Sequence, residues 1–188
     1  SPSSRSRPRI PQSSAKPWVL MVSLVAPHFP LTVPDEFFDL YAGKNLMLPK
    51  GYHFGVDPKA HSFVQQYAKA SGYNLHFRTD ADVRRALSGY YGLVSYLDRQ
   101  VGTLLGALSD AALDTDTRGM YTSDHGDNLG ARGLWGKSTM FEEIAGVPFI
   151  LAGPGVPAGQ RVDTPVSHVD ALPTILEGAG MKVPSGYP

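Results

Sequence analysis

Apolar residues along this chain follow two different rhythms. Trp18 to Val25 is an almost unbroken apolar run of β-favouring residues, closed by Ala26-Pro27-His28-Phe29-Pro30. Such a run predicts a strand covered on both faces in a parallel sheet, with the prolines holding His28 at its carboxyl edge. Pro34-Asp35-Glu36 opens a short helix reaching about Tyr41. From Asp80 the rhythm changes. Val83, Leu87, Tyr90, Val94, Leu97, Val101, Leu104 and Leu108 recur at three- and four-residue steps, which predicts a long amphipathic helix.

Further on, Gly119-Met120-Tyr121-Thr122 reads as a short strand leading into Asp124, and Gly146 to Ala152 as another. A last helix is expected from about Asp170 to Ala179, with Asp170 at its start and Gly180 beyond its end. Strands alternating with helices predict an α/β domain with a mostly parallel sheet flanked by helices. Residues 43–79 show no clear period and are taken as a long excursion, in which His53, His61 and His76 share no ligand spacing. Residues 1–17, rich in Ser, Pro and Arg, read as an extended lead-in.

Composition narrows the function classes. Of 188 residues, 42% are hydrophobic and 18% charged, enough apolar material for a core. Seventeen basic and seventeen acidic residues cancel, so no overall field points to nucleic acid or an anionic membrane. No run is long and apolar enough to span a bilayer, so neither nucleic acid nor membrane is expected as a partner. The partner expected is a small molecule. The absence of cysteine excludes a thiolate zinc site and leaves compartment open between bacterial periplasm and cytoplasm. Oligomeric state is not legible.

The chemistry concentrates in Thr122-Ser123-Asp124-His125-Gly126-Asp127 and, shortly after, Gly136-Lys137. Adjacent carboxylate and imidazole at a strand end can reach one divalent cation if Gly126 frees the backbone there. A plain turn in which Asp124 caps backbone amides is the alternative. Lys137 suits a nonbridging oxygen of a sulfate or phosphate ester, or is simply solvated. His28 is either a site residue or bonded to a loop carbonyl. His168 and Asp170 are given structural roles, and Arg132, which adds positive charge or is a surface residue, stays outside the predicted site.

Taken in order, Ala26-Pro27-His28-Phe29-Pro30-Leu31, Tyr90 to Asp98, Thr122 to Asp127, Gly136 to Glu142 and Ser167 to Thr174 resemble the sulfatase family of the alkaline phosphatase superfamily. The nearest likeness is to bacterial choline-sulfatase and arylsulfatase-like enzymes. The resemblance implies an alkaline-phosphatase-like sulfatase fold, incomplete at its N-terminal side, with residues 18–188 forming part of the catalytic domain. It implies a divalent cation, Ca²⁺ in the usual case, held by Asp124 and His125 with acidic residues from an earlier part of the fold. His28 and Lys137 would contact the ester, either one serving to protonate the leaving oxygen.

The implied nucleophile is a formylglycine made from Cys or Ser in Cys/Ser-x-Pro-x-Arg, a motif with no match here. It is expected in an upstream segment, so this stretch alone should be inactive. The expected function is part of a metal-dependent sulfuric ester hydrolase that releases an alcohol or phenol from a sulfate ester. A phosphonate or phosphate ester hydrolase of the same superfamily, or a noncatalytic sulfatase-like domain, are the alternatives.

Overall fold

The structure, a computed structural model, describes residues 17–187. The expected lead-in lies outside the described residues apart from Pro17. In chain order the elements are α1 (Asp35–Phe38), α2 (Ser62–Ser71), a 3₁₀ turn at Tyr73–His76, α3 (Asp80–Asp110) and β1 (Gly119–Thr122). A 3₁₀ turn at Ala131–Gly133, α4 (Glu142–Ala145), β2 (Phe149–Ala152), a 3₁₀ turn at His168–Asp170 and α5 (Ala171–Gly178) complete it. Strands β1 and β2 pair in a two-stranded sheet. Among the described residues, no helix is long and apolar enough to cross a membrane.

The chain divides into two compact units. Of the described residues, one comprises 24–101 and 121–149, the other 17–23, 102–120 and 150–187. Every buried apolar side chain among the described residues belongs to the first unit, from Phe37 to Ile144. Two clusters make up its core. Val83, Ala86, Leu87 and Trp135 form one, joined by Leu31, Leu46 and Phe77. Val64, Ala68 and Leu134 form the other, joined by Tyr67 and Phe141. Trp135 and Leu134 are neighbours in sequence, so one short segment feeds both clusters.

Helix α3 is the frame of this unit. Thr79 and Asp82 close a reciprocal cap at its start: Asp82 N–H donates to Thr79 Oγ1 at 3.1 Å, and Thr79 N–H donates to Asp82 Oδ2 at 2.9 Å. Its periodic apolar face meets the segment after His28 at very short range. A methyl group on Gly89 would stand 2.8 Å from the Leu31 carbonyl oxygen, so that helix position tolerates only glycine. The Tyr41 hydroxyl bonds Ser95 Oγ at 2.8 Å, and Ser88 Oγ donates to the Tyr41 carbonyl at 3.2 Å. Together these contacts seat residues 31–41 on the helix and thereby place His28 just upstream.

Two expectations about secondary structure change. Residues 18–25 carry no strand, and Val19, Met21 and Val25 are largely exposed, at 67%, 87% and 79%. A strand exists through the ladder it joins, and an apolar run supplies only the material for one. Within 43–79, the supposed excursion contains a ten-residue helix, α2. Val64, Tyr67 and Ala68 make its buried stripe, His61 accepts a hydrogen bond from Phe63 N–H at 3.2 Å as the cap, and Gly72 ends it in the left-handed conformation.

In the second unit, Ser167 and Asp170 form a capping box leading into α5. Asp170 therefore reaches back to Ser167 N–H at 2.7 Å, where a simple forward-facing cap was expected. Arg118 donates to the carbonyls of Pro154 at 2.7 Å and Gly178 at 3.1 Å, tying the end of α5 to the turn after β2.

Candidate active site

The segment after β1 turns sharply at Ser123–Gly126. Ser123 Oγ donates to the His125 carbonyl at 2.9 Å, and His125 N–H donates to Asp124 Oδ1 at 3.0 Å. Gly126 was expected to supply conformational freedom, yet it has no positive φ. What it supplies is space. Its N–H donates to the Ile144 carbonyl at 2.9 Å, and a methyl group there would lie 1.9 Å from the Glu143 carbonyl oxygen. Any side chain at 126 would push the Asp124-His125 turn off α4.

From this turn two sequence-predicted residues meet a third and a fourth. Lys137 Nζ lies 2.9 Å from His125 Nε2 and 3.3 Å from His28 Nε2. An ammonium can only donate, so both Nε2 atoms accept and both rings carry their proton on Nδ1. Those protons go to local carbonyls: His28 Nδ1 donates to Phe29 O at 2.6 Å, and His125 Nδ1 to Gly126 O at 2.8 Å. His28 is thus held by Phe29, whose ring centroid is 4.5 Å from its own, and by Lys137, and no strand edge is involved. The loop-carbonyl reading of His28 is met by Nδ1, while Nε2 faces Lys137.

Asp124 completes the group. Its Oδ2 is 3.4 Å from His125 Nε2, and its side chain is 84% exposed. Partial burial pushes its carboxyl up, but His125, the His125 N–H and Lys137 outweigh that and hold it below the ordinary carboxylate range. Two atoms 3.4 Å apart are the spacing of neighbouring ligands each about 2.4 Å from one hard cation. Two such donors make only a minor part of the six or more ligands a hard cation takes. Among the described residues no group of three or more histidines and carboxylates could hold a metal ion. Lys137 also uses the same Nε2 lone pair, so cation and ammonium compete for it.

Asp127 and Asn128 carry more of the local structure than their sequence suggested. Asp127 Oδ1 accepts from Leu129 N–H at 2.9 Å and from Gly136 N–H at 3.1 Å. Burial raises its carboxyl above the ordinary range, against those two N–H groups and the two histidines, which lower it. Asn128, with 1% exposure, donates from Nδ2 to the Gly136 carbonyl at 2.7 Å. The sequence itself offered only a polar pair directly after Asp-His-Gly. Arg132 faces elsewhere: it pairs with Glu143 at 2.7 Å and lies over the Phe141 ring at 4.2 Å.

Beside the cluster opens a cavity of about 660 Å³. Phe29, Tyr73, Phe77 and Trp135 give it aromatic walls, and Asp35, Asp82 and Asp127 supply carboxylates. Phe77 stacks on Trp135 at 3.7 Å, and Phe29 meets Tyr73 edge-on at 5.3 Å. Phe29, which touches His28, and Gly136, which precedes Lys137, both line it, so the cavity and the Lys137 group share neighbouring residues.

The family pattern described as Sulfatase matches residues 9–181. The chain belongs to the sulfatase family. A choline-sulfatase of Rhizobium meliloti (strain 1021) is 37% identical over 171 residues, which is 90% of this chain and 33% of that protein. An arylsulfatase of Clostridium perfringens (strain 13 / Type A) is 29% identical over 174 residues, 90% of this chain and 35% of the relative. Among solved structures, the phosphonate monoester hydrolase SpPMH from Silicibacter pomeroyi superposes with a TM-score of 0.77 at 29% identity, over 86% of this chain and 33% of that one.

This sulfatase-family chain thus spans about a third of the length of the relatives it matches. The expected α/β, alkaline-phosphatase-like fold is the one it shares with these structural neighbours.

Proposed function

We propose that this chain carries the ester-facing part of the active site of a metal-dependent sulfuric ester hydrolase. The observation that carries the reading is the convergence of Lys137 Nζ on His28 and His125 across 109 and 12 residues of sequence, beside Asp124. A fixed ammonium next to a pair of metal ligands offers positive charge for the oxygens of a tetrahedral anion. A divalent cation bound by Asp124 and His125, Ca²⁺ by the hardness of the carboxylate, would supply Lewis-acid stabilisation of those oxygens.

Residues of this chain do the rest. Lys137 Nζ would donate to the ester oxygens; His28, whose Nε2 accepts from Lys137, would serve after taking that proton, and either could deliver it to the departing alcohol or phenol. The Nδ1 bonds of His28 to Phe29 O and of His125 to Gly126 O orient both rings, leaving each Nε2 turned to Lys137 Nζ. The nucleophile of the family, a formylglycine, is not encoded in this stretch, which has no cysteine and no Ser-x-Pro-x-Arg. The aromatic cavity would take the organic part of the ester. Its carboxylates and ring faces favour a cationic or aromatic alcohol, in keeping with the choline and aryl esters named in the two relatives.

A second reading, a phosphonate or phosphate ester hydrolase, is favoured by the overlap with the Silicibacter pomeroyi phosphonate monoester hydrolase. Rates of the intact natural protein on an aryl sulfate, the matching aryl phosphate and an aryl phosphonate monoester decide between them. A clear sulfate preference is expected. Faster turnover of the phosphonate overturns the first reading.

A further inference from the structure

We propose that Asp127 and Asn128 are positioning residues for Lys137, gripping Gly136 from both sides so that the ammonium is held at the ester site. The proposal rests on the reading of Lys137 given above. Gly136 immediately precedes Lys137, and its two peptide groups are tied down by three hydrogen bonds. Its N–H donates to Asp127 Oδ1 at 3.1 Å, and its carbonyl accepts from Asn128 N–H at 2.9 Å and Asn128 Nδ2 at 2.7 Å. That carbonyl belongs to the peptide from which Lys137 springs.

The grip is itself braced. The oxygen of Asp127 that holds Gly136 also accepts from Leu129 N–H, so its orientation is set by two donors. Thr139 Oγ1, on the far side of Lys137, donates to Asn128 Oδ1 at 3.3 Å and fixes which end of the amide faces Gly136. Asn128 and Thr139 are 1% and 3% exposed, so water cannot replace these bonds. Lysine ends a flexible four-carbon stem, and its head is only as well placed as its backbone and its partners make it. Asp127 and Asn128 directly follow the Asp124-His125-Gly126 turn, so one stretch of backbone carries both the proposed metal ligands and the grip on the lysine. The geometry between cation and ammonium is thereby set through a dozen residues.

The test uses the intact natural protein. Because a misplacement of about 1 Å costs on the order of a hundredfold in rate, Asp127→Ala should lower kcat by roughly 30-fold or more with KM within about threefold. Asp127→Asn keeps an acceptor oxygen and should restore kcat to within about threefold of wild type. The deciding measurement is a double-mutant cycle: on a Lys137→Ala background, Asp127→Ala should lower kcat little further. Losses that multiply independently overturn the proposal. If Asp127→Ala does not fold, Thr139→Val enters the same cycle with the same criterion. If the wild type hydrolyses no sulfate ester, the sulfatase reading fails and the grip is decided by acylation of Lys137, followed by peptide mass. Asp127→Ala should then speed labelling of Lys137 several-fold, with Lys44 and Lys182 unchanged; unchanged labelling of Lys137 overturns it.

Discussion

The ammonium nitrogen of Lys137 lies 2.9 Å from Nε2 of His125, the ring atom a metal ion at this turn would use. A cation bound there would have to take this lone pair from Lys137, so removing the ammonium should favour the cation. A divalent cation and an ammonium roughly 5 Å apart in a water-like dielectric repel by about 1.5 kcal/mol, which is about tenfold in affinity. Lys137→Ala should therefore bind Ca²⁺ about tenfold more tightly in calorimetric titration while losing turnover. Weaker cation binding in that variant would show that lysine and metal are not competitors.

Asp124 contributes the carboxylate of the proposed pair, and its partner atom is 3.4 Å away. In the intact protein, Asp124→Ala should lower the divalent metal content measured by elemental analysis and abolish metal-dependent turnover. Unchanged metal content would remove this residue from the ligand set.

His28 and Lys137 are the two proton donors of the proposed mechanism, and leaving-group chemistry separates them. Loss of the proton donor should hurt esters of weakly acidic alcohols far more than a nitrophenyl ester, whose leaving oxygen needs no proton. Comparing His28→Ala with Lys137→Ala across a series of aryl sulfates identifies the donor as the variant with the steeper dependence on phenol acidity. Equal slopes in both variants and wild type would mean neither acts this way.

The cap of α3 predicts a pH signature. Hydrogen bonding by Thr79 and by the Arg78 N–H holds the Asp82 carboxyl below its ordinary 3.8. A carboxyl with a depressed folded value stabilises above the ordinary value, and that stability is lost as pH falls through the depressed one. Asp82→Asn should lower the melting temperature at pH 7, and the gap to wild type should close as pH drops below 3.8. A gap that stays constant down to acid pH would contradict the cap.

Leu134 is 1% exposed and packs on Val64 and Ala68 of α2. Leu134→Ala should cost about 2–5 kcal/mol in urea unfolding. A loss below about 1 kcal/mol would mean that α2 is not held by this contact.

The long helix was legible because Val83, Leu87 and their periodic successors repeat over eight turns, and a repeat of that length has few other readings. Helix α2 was not, because ten residues with three inward positions resemble a polar loop until Leu134 is brought against them from seventy positions away. Trp18 to Val25 erred in the other direction. Its composition suits a strand, but strand formation is a property of the pair. At the site, Asp124, His125, His28 and Lys137 were all nameable from motif and resemblance. Asp127 and Asn128 were not, since acceptor and amide groups next to a turn are common and only the position of Gly136 gives them a role.

Family, fold class and the residue types able to do sulfate chemistry are written in the local order of the chain, because motifs and helical periods are short-range properties. Which of those groups meet is not. The approach of His28 to Lys137 spans 109 residues and depends on α3, on Gly89 against Leu31, and on the peptide groups of Gly136. Local sequence can specify a lysine and a histidine, but a distance of 3.3 Å between them is set by packing.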